Sequence, residues 1–113
     1  MKIVLAGEGA IALRHAQAIA RIEGVEIASI AGGVSADTAA FAAEQGVGHW
    51  SLDLAESLAQ PGVEAAILAT PTPLHARQAI QVMEAGCHVL VEIPMADALA
   101  DSQAVVAAQE RTG

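Results

Sequence analysis

Aromatic residues are nearly absent from this sequence: Phe41 and Trp50 are the only two, and tyrosine is missing altogether. Hydrophobic residues nevertheless make up 54% of the 113 residues, and many of them are alanine. Small apolar side chains suit short helices that pack closely on a sheet. The length allows one compact domain with one core and is too short for two. We therefore expect residues 1–113 to form a single domain.

Basic residues and cysteine are scarce as well. Five Lys and Arg face 13 Asp and Glu, so the formal net charge is -8 at pH 7. A nucleic-acid interface needs a basic stripe and an anionic membrane repels such a chain, so we expect neither partner. No apolar run approaches the roughly 20 residues that span a bilayer. The single cysteine, Cys87, cannot form an internal disulfide, which favours a cytoplasmic location.

Apolar runs with strand character recur along the chain. The sequence predicts strands at residues 2–6, 25–31 and 63–70, a weak strand near residues 48–51, and a fifth strand at residues 87–92. Near-continuous apolar strands joined by amphipathic helices indicate an α/β fold whose parallel sheet is covered on both faces. Right-handed crossovers favour a Rossmann-type, doubly wound, three-layer αβα arrangement with strand order 3-2-1-4-5.

The helical segments carry specific expectations of their own. Gly24 is expected to end the first helix, and Ser35 to be the N-cap of the second. Asp53 is expected to cap a short third helix, and Pro73 to be the first helical residue (N1) of the fourth. Five residues of the first segment recur at helical spacing and form its predicted packed face: Ile11, His15, Ala18, Ile19 and Ile22.

The first predicted strand runs directly into Gly7-Glu8-Gly9-Ala10-Ile11-Ala12, which opens the first helix. In this G-x-G-x-x-A pattern Gly7 allows the tight turn, Gly9 lets the backbone approach a pyrophosphate, and Ala12 permits close helix–strand contact. The helix N-terminus adds free N–H groups and a partial positive charge. At this place in a βαβ unit the pattern predicts a dinucleotide site, with a ligand-free glycine turn as the alternative.

The end of the second strand lacks the carboxylate that usually holds the adenine ribose. Residues 31–35 contain no acid, which favours NADP over NAD because nothing repels a 2′-phosphate. They contain no Arg or Lys either, so NAD stays possible. Ser35, Thr38 and backbone N–H groups are the remaining candidates for holding the phosphate, and Ser35 is equally consistent with simple capping.

The fourth strand ends in Thr70 and Pro71, with His75 in the next helix, at the sheet edge where open α/β folds bind ligands. His75 is a candidate catalytic residue, with a capping or packing role as the alternative. Cys87 and His88 are adjacent on a strand and point to opposite faces, so they cannot form a metal pair. We predict no metal site.

The segments GEGAIALRHA, ATPTPLHA and VEIPMADAL, in this order, resemble the Gfo/Idh/MocA oxidoreductase family over the whole chain. The resemblance implies an NAD(P)-dependent dehydrogenase with a second, C-terminal substrate domain and a homodimer when full-length. The family's third motif is usually Glu-Lys-Pro, whereas this chain has Glu92-Ile93-Pro94. Because isoleucine cannot transfer a proton, the catalytic group is left unassigned.

The third segment is similar to one branch of that family, the 4-carboxy-2-hydroxymuconate-6-semialdehyde dehydrogenases. That branch implies NADP-dependent oxidation of a carboxylated semialdehyde, in its cyclic hemiacetal form, to 2-pyrone-4,6-dicarboxylate. The resemblance also implies the cofactor-binding residues. The residues around the pyrophosphate are Gly7, Gly9, Ala10, Ile11 and Ala12, and the residue near the adenosine ribose is Ser35. The residues along the cofactor are Thr70, Pro71 and His75, and those by the nicotinamide are Glu92 and Ile93.

The missing lysine also fits a different class of protein, a non-catalytic Rossmann module that binds a nucleotide or senses NAD(P)H. The similarity of VEIPMADAL to a catalytic branch favours the enzyme. We expect residues 1–113 to be the N-terminal part of a longer enzyme and to be inactive alone. The fifth strand, with Val89, Leu90 and Val91, is then an apolar edge that promotes self-association.

Overall fold

The computed structural model describes residues 1–93, 95–96 and 98–113, so Pro94 and Asp97 of the third motif lie outside the described residues. Strands and helices alternate through this part of the chain, as predicted. Their bounds are β1 (Lys2–Ala6), α1 (Ala10–Ile19), β2 (Glu26–Ala31), α2 (Ser35–Glu44), β3 (Trp50–Ser51), α3 (Leu54–Leu58), β4 (Val63–Leu68), α4 (Thr72–Glu84), β5 (His88–Val91) and α5 (Leu99–Thr112).

The strands form one parallel sheet in the order β3-β2-β1-β4-β5, which confirms the predicted topology. The register brings Ala6 of β1 beside Ala31 of β2 and Leu68 of β4. The three central strands therefore end at the same level. Their carboxyl ends, and the loops that follow them, meet at one edge of the sheet.

Helices cover both faces of the sheet, so the three-layer prediction is also confirmed. Consecutive residues of β1 point to opposite sides, with Val4 and Leu5 fully buried in separate cores. Burying each side chain of this size contributes about 1.5–3 kcal/mol. One core joins the sheet to α3, α4 and α5, and the other joins it to α1 and α2.

The predicted packed face of α1 is wrong in most of its members. Ile11, Ala18 and Ile22 are exposed, and Ile22 lies beyond the helix, which ends at Ile19 well before Gly24. The buried face consists of Ala12, Ala16 and Ile19. Alanines face the sheet because their small side chains let the helix axis approach the strands closely.

The termini of α2 and α3 show one prediction that failed and one that is confirmed. Val34 is the N-cap of α2, in extended conformation, and Ser35 is the first helical residue, without a side-chain capping bond. Asp53 caps α3 as predicted, since its Oδ1 accepts a hydrogen bond from the Ala55 amide at 3.0 Å.

Among the described residues, we find no helix that combines the length and the apolar character needed to cross a membrane.

Candidate functional site

A cavity of about 490 Å³ opens at the carboxyl edge of the sheet, where β1, β2 and β4 end. Its floor is formed by the glycine loop before α1 and the loop after β2. Its far wall comes from the loop after β4 and the first turns of α4. The described lining residues are Gly7, Glu8, Gly9, Ala31, Gly32, Gly33, Val34, Leu52, Leu54, Ala69, Thr70, Pro71, Leu74 and Gln78.

Gly7 is required by the fold itself. Its φ of +123° is rarely adopted by other residues, and a Cβ at this position would lie 2.5 Å from the Ala69 carbonyl oxygen. The Gly7 amide donates to the Ala31 carbonyl at 2.8 Å. This glycine therefore lets the chain turn tightly between β2 and β4.

Gly9 has a different role, because the surrounding protein leaves room for a side chain there. It is the N-cap of α1 with φ -95°, and no atom lies within 4 Å of the position that its Cβ would occupy. That direction is free for a ligand. No side chain caps α1, so the N–H groups of its first turn, at Ala10, Ile11 and Ala12, are available to an anion.

Glu8 reaches from the glycine loop across to the end of β2. Its Oε1 accepts hydrogen bonds from the amides of Gly33 and Val34, both at 3.3 Å, and its Oε2 accepts one from the Thr38 hydroxyl. The sequence analysis found no acid at residues 31–35 and overlooked Glu8. The only local signal was an acidic residue inside a glycine-rich loop.

Glu8 and Thr38 thus bridge the glycine loop and the end of β2. Position 32, directly before the amides that Glu8 binds, requires a glycine. A Cβ on Gly32 would overlap the Thr38 Oγ1 and the Glu8 Oε2. Thr38 is fully buried and its hydroxyl also lies 2.8 Å from the Val34 carbonyl. Ser35 is exposed and lies outside the cavity lining, so the hydroxyl that the structure brings to the end of β2 is that of Thr38.

The far wall is organised by Thr70 and its neighbours. The Thr70 hydroxyl donates to Oε1 of Gln78 at 2.6 Å, and both residues line the cavity beside Pro71. His75 is buried outside the lining, with Nε2 2.7 Å from the Thr70 carbonyl oxygen. It therefore holds the loop after β4 in place from behind. The sequence analysis did not identify Gln78 as a site residue, because its distance from the strand along the chain hides its contact with Thr70.

Glu92 and Ile93 follow β5 and lie outside the described lining of the cavity. The Glu92 amide donates to the Leu68 carbonyl at 3.2 Å, and the Glu92 carboxylate pairs with Nε2 of His15 on α1. His15 is thus half-buried beside an acid rather than packed on an apolar face, which corrects the prediction. Ile93 is 89% exposed.

The cavity is mostly apolar and carries little charge. Of the described residues that line it, Glu8 alone is charged, and four are large and apolar: Val34, Leu52, Leu54 and Leu74. Apolar walls with a few convergent polar groups are typical of sites for flat organic ligands. The open helix terminus beside them suits an anionic group such as a phosphate.

Comparisons with known proteins agree with this geometry. A sequence model described as an oxidoreductase family with an NAD-binding Rossmann fold, Gfo/Idh/MocA, matches residues 1–113. A 4-carboxy-2-hydroxymuconate-6-semialdehyde dehydrogenase from Sphingobium sp. is 48% identical over 113 residues, which are 100% of this chain and 36% of that protein. The chain thus spans about a third of the length of this curated relative.

Two solved structures with bound dinucleotides share the fold. The WlbA dehydrogenase of Bordetella pertussis, in complex with NADH and UDP-GlcNAcA, is 37% identical with a TM-score of 0.90, covering 99% of this chain and 34% of that one. The biliverdin reductase of Synechocystis sp., in complex with biliverdin and NADP+, is 26% identical with a TM-score of 0.90, covering 99% and 35%. The two neighbours hold different nicotinamide dinucleotides.

Proposed function

Because this chain belongs to the Gfo/Idh/MocA oxidoreductase family, we propose that its cavity binds a nicotinamide dinucleotide and serves a dehydrogenase reaction. The observation that carries this proposal is the pairing of an open direction at Gly9 with an uncapped helix terminus. Gly7 is needed by the fold, whereas nothing in the surrounding protein requires a glycine at position 9. A ligand that approaches the backbone closely accounts for it.

The lining residues suggest how the cofactor is held. The pyrophosphate lies against Gly9 and the first turn of α1, and the adenosine lies at the end of β2 among the apolar residues. The nicotinamide half of the cofactor extends past Thr70 and Pro71 toward the segment after β5, which contains Glu92 and Ile93. A bound dinucleotide supplies a hydride acceptor, and this chain's residues orient it and keep its surroundings apolar.

We further propose NADP as a cofactor that this site accepts once the Glu8 carboxylate has left the donors at the end of β2. The end of β2 has no acid of its own, and two amides and a hydroxyl converge there on an acidic side chain. A 2′-phosphate requires the same kind of donor set. NAD is the alternative, and the two neighbouring structures with different dinucleotides are consistent with either.

For the substrate we propose the cyclic hemiacetal of 4-carboxy-2-hydroxymuconate semialdehyde, oxidised to 2-pyrone-4,6-dicarboxylate. The support is the relative that is 48% identical and is named as a dehydrogenase of this semialdehyde. In this reaction the hemiacetal carbon loses a hydride, its hydroxyl loses a proton, and a lactone carbonyl forms. A hemiacetal hydroxyl is more acidic than an ordinary alcohol, so Ile93 in place of a lysine is compatible with the step. The complete protein would act in the cytoplasm as a homodimer.

The experiment that tests cofactor binding is a calorimetric titration of the chain with NADPH and with NADH, using the wild type and Gly9→Ala. The added methyl group lies in open space in the protein alone but in the path of a pyrophosphate. We expect an unchanged melting temperature and a loss of affinity of about tenfold or more, equivalent to roughly 1.4 kcal/mol.

Gly48→Ala is the matched control, because its Cβ would also meet no atom within 4 Å and it lies outside the cavity lining. This variant should bind both dinucleotides as the wild type does. A folded wild type that binds neither, or a Gly9→Ala variant that binds as tightly as the control, would contradict the proposal.

A further inference from the structure

The carboxylate of Glu8 occupies the place that the end of β2 offers to an anion. Three donors surround it: the amides of Gly33 and Val34, both at 3.3 Å, and the hydroxyl of Thr38. Glu8 is half-buried within the lining of the large cavity. It belongs to the glycine loop by sequence, yet its charged group lies at the start of α2, on the neighbouring βαβ unit.

These donors match a phosphate as well as a carboxylate. Amides and hydroxyls at the start of a helix donate to any anion, and a phosphate has three acceptor oxygens where a carboxylate has two. Two anions cannot share one set of donors, because the bonds are already used and the like charges repel. A phosphate can enter only if the carboxylate leaves.

We propose that Glu8 sets the cofactor preference of this site, because its side chain fills the 2′-phosphate position and must turn away before NADP can bind. The inference rests on the proposed dinucleotide site. The 2′-hydroxyl of NAD carries no charge and can donate to the carboxylate where it stands. Glu8 therefore reduces the apparent affinity for NADP by the fraction of molecules in which it fills the position.

The contacts of Glu8 permit this displacement. The two hydrogen bonds that it accepts from backbone amides are long. Within the described part of the chain, no Lys, Arg or His forms an ion pair with it. The Thr38 hydroxyl has a second acceptor, the Val34 carbonyl at 2.8 Å, when the carboxylate departs. Gly33 and Val34 are exposed. When the carboxylate leaves, their N–H groups can therefore donate to water or to the entering phosphate.

The test is a calorimetric titration of wild type, Glu8→Gln and Glu64→Gln with NADPH and with NADH. Glutamine keeps the shape and one acceptor oxygen but removes the charge, so it competes weakly with a phosphate. We expect Glu8→Gln to bind NADPH about tenfold or more tightly than the wild type does, and NADH to within about threefold. Glu64→Gln makes the same change of net charge at an exposed site near the start of β4. This site lies at the amino ends of the strands, away from the cavity, so the substitution should leave both affinities as they were.

Two results would overturn the inference while leaving the dinucleotide site intact. One is an unchanged ratio of the two affinities in Glu8→Gln. The other is weaker NADH binding with unchanged NADPH binding, which would mean that Glu8 holds the ribose hydroxyls and does not exclude the phosphate. Failure of all three proteins to bind either dinucleotide would instead remove the proposed function, and this inference with it.

Discussion

Cys87 shows how burial alone changes the chemistry of one side chain. It lies just before β5 with 9% of its surface exposed, and this desolvation raises the pKa of its thiol above the ordinary value of 9.0. Its Sγ lies 3.8 Å from the Val63 carbonyl oxygen, and no charged partner assists ionisation among the described residues. We therefore regard Cys87 as a packing residue of the core.

The pH dependence of stability follows from this raised pKa. As pH rises through 9.0, the thiol ionises in the unfolded chain before it ionises in the folded one, so the free energy of unfolding falls. Because the chain has no tyrosine, few other side chains titrate in this range. We expect urea unfolding between about pH 7 and pH 10 to show this fall in the wild type and a smaller one in Cys87→Ala. Parallel curves for the two proteins would contradict the prediction.

A polar cluster around the buried Ser29 and Ser57 joins the short elements on one side of the sheet to the sheet itself. The hydroxyl of Ser29 on β2 lies 2.7 Å from Nδ1 of His49, which precedes β3, and donates to Ser57 on α3 at 2.8 Å. His49 in turn lies 3.6 Å from the Glu56 carboxylate. A serine, a histidine and an acid in series resemble a hydrolytic triad, but Ser29 is fully buried and no substrate can reach it. The cluster is structural, and it fixes β3, which has only two residues.

Ser29→Ala should destabilise the fold by about 1–3 kcal/mol, because it leaves the buried Ser57 hydroxyl and a ring nitrogen of the partly buried His49 without this partner. Ser35→Ala is the control: the side chain is exposed and makes no capping bond, so its loss should cost about 0.5 kcal/mol or less. Urea unfolding at neutral pH measures both free energies. An equal effect of the two substitutions would refute the role of the cluster.

The elements were predictable where the sequence signal is local. Strand positions and sheet order follow from apolar runs and crossover handedness, and Asp53 shows its capping role in the residues next to it. The face of α1 was wrong because periodicity ranks residues by hydrophobicity. Close packing instead selected Ala12 and Ala16 for the sheet side and left Ile11 outside.

The site was predictable only in part, for a related reason. Gly7 and Gly9 belong to a motif of six consecutive residues, so their roles can be inferred from spacing. The bridge from Glu8 to Thr38 joins residues that are 30 positions apart, and it exists only after β1 and β2 have paired. Contacts of this kind depend on side-chain reach in the assembled sheet, which composition and periodicity do not encode.

At the scale of the whole molecule, the two edges of the sheet differ. β3 is very short, whereas β5 has four residues and pairs with β4 along one side. Leu90 of β5 is 51% exposed, and Ile93 and Leu99 beyond it are more exposed still. An apolar strand edge of this length is a template for pairing with another chain.

We expect the 113-residue chain to self-associate as its concentration rises, and Leu90→Lys to reduce that association without lowering the melting temperature. A charge on an edge strand opposes strand pairing between molecules. Sedimentation velocity over a concentration series measures the effect. Val106→Lys adds the same charge on the exposed side of α5 and should leave the association as it was. If Val106→Lys disperses the protein and Leu90→Lys does not, association proceeds through the helix.

The central place of β1 has a consequence for the order in which a ribosome delivers this domain. Residues 2–6 are synthesised before the other strands of this sheet, yet their two neighbours are residues 26–31 and residues 63–68. One side of the earliest strand therefore stays without its neighbour until β4 is synthesised. During that interval the nascent chain exposes an apolar strand that chaperones recognise, and completing the sheet requires contacts distant in sequence, which form slowly.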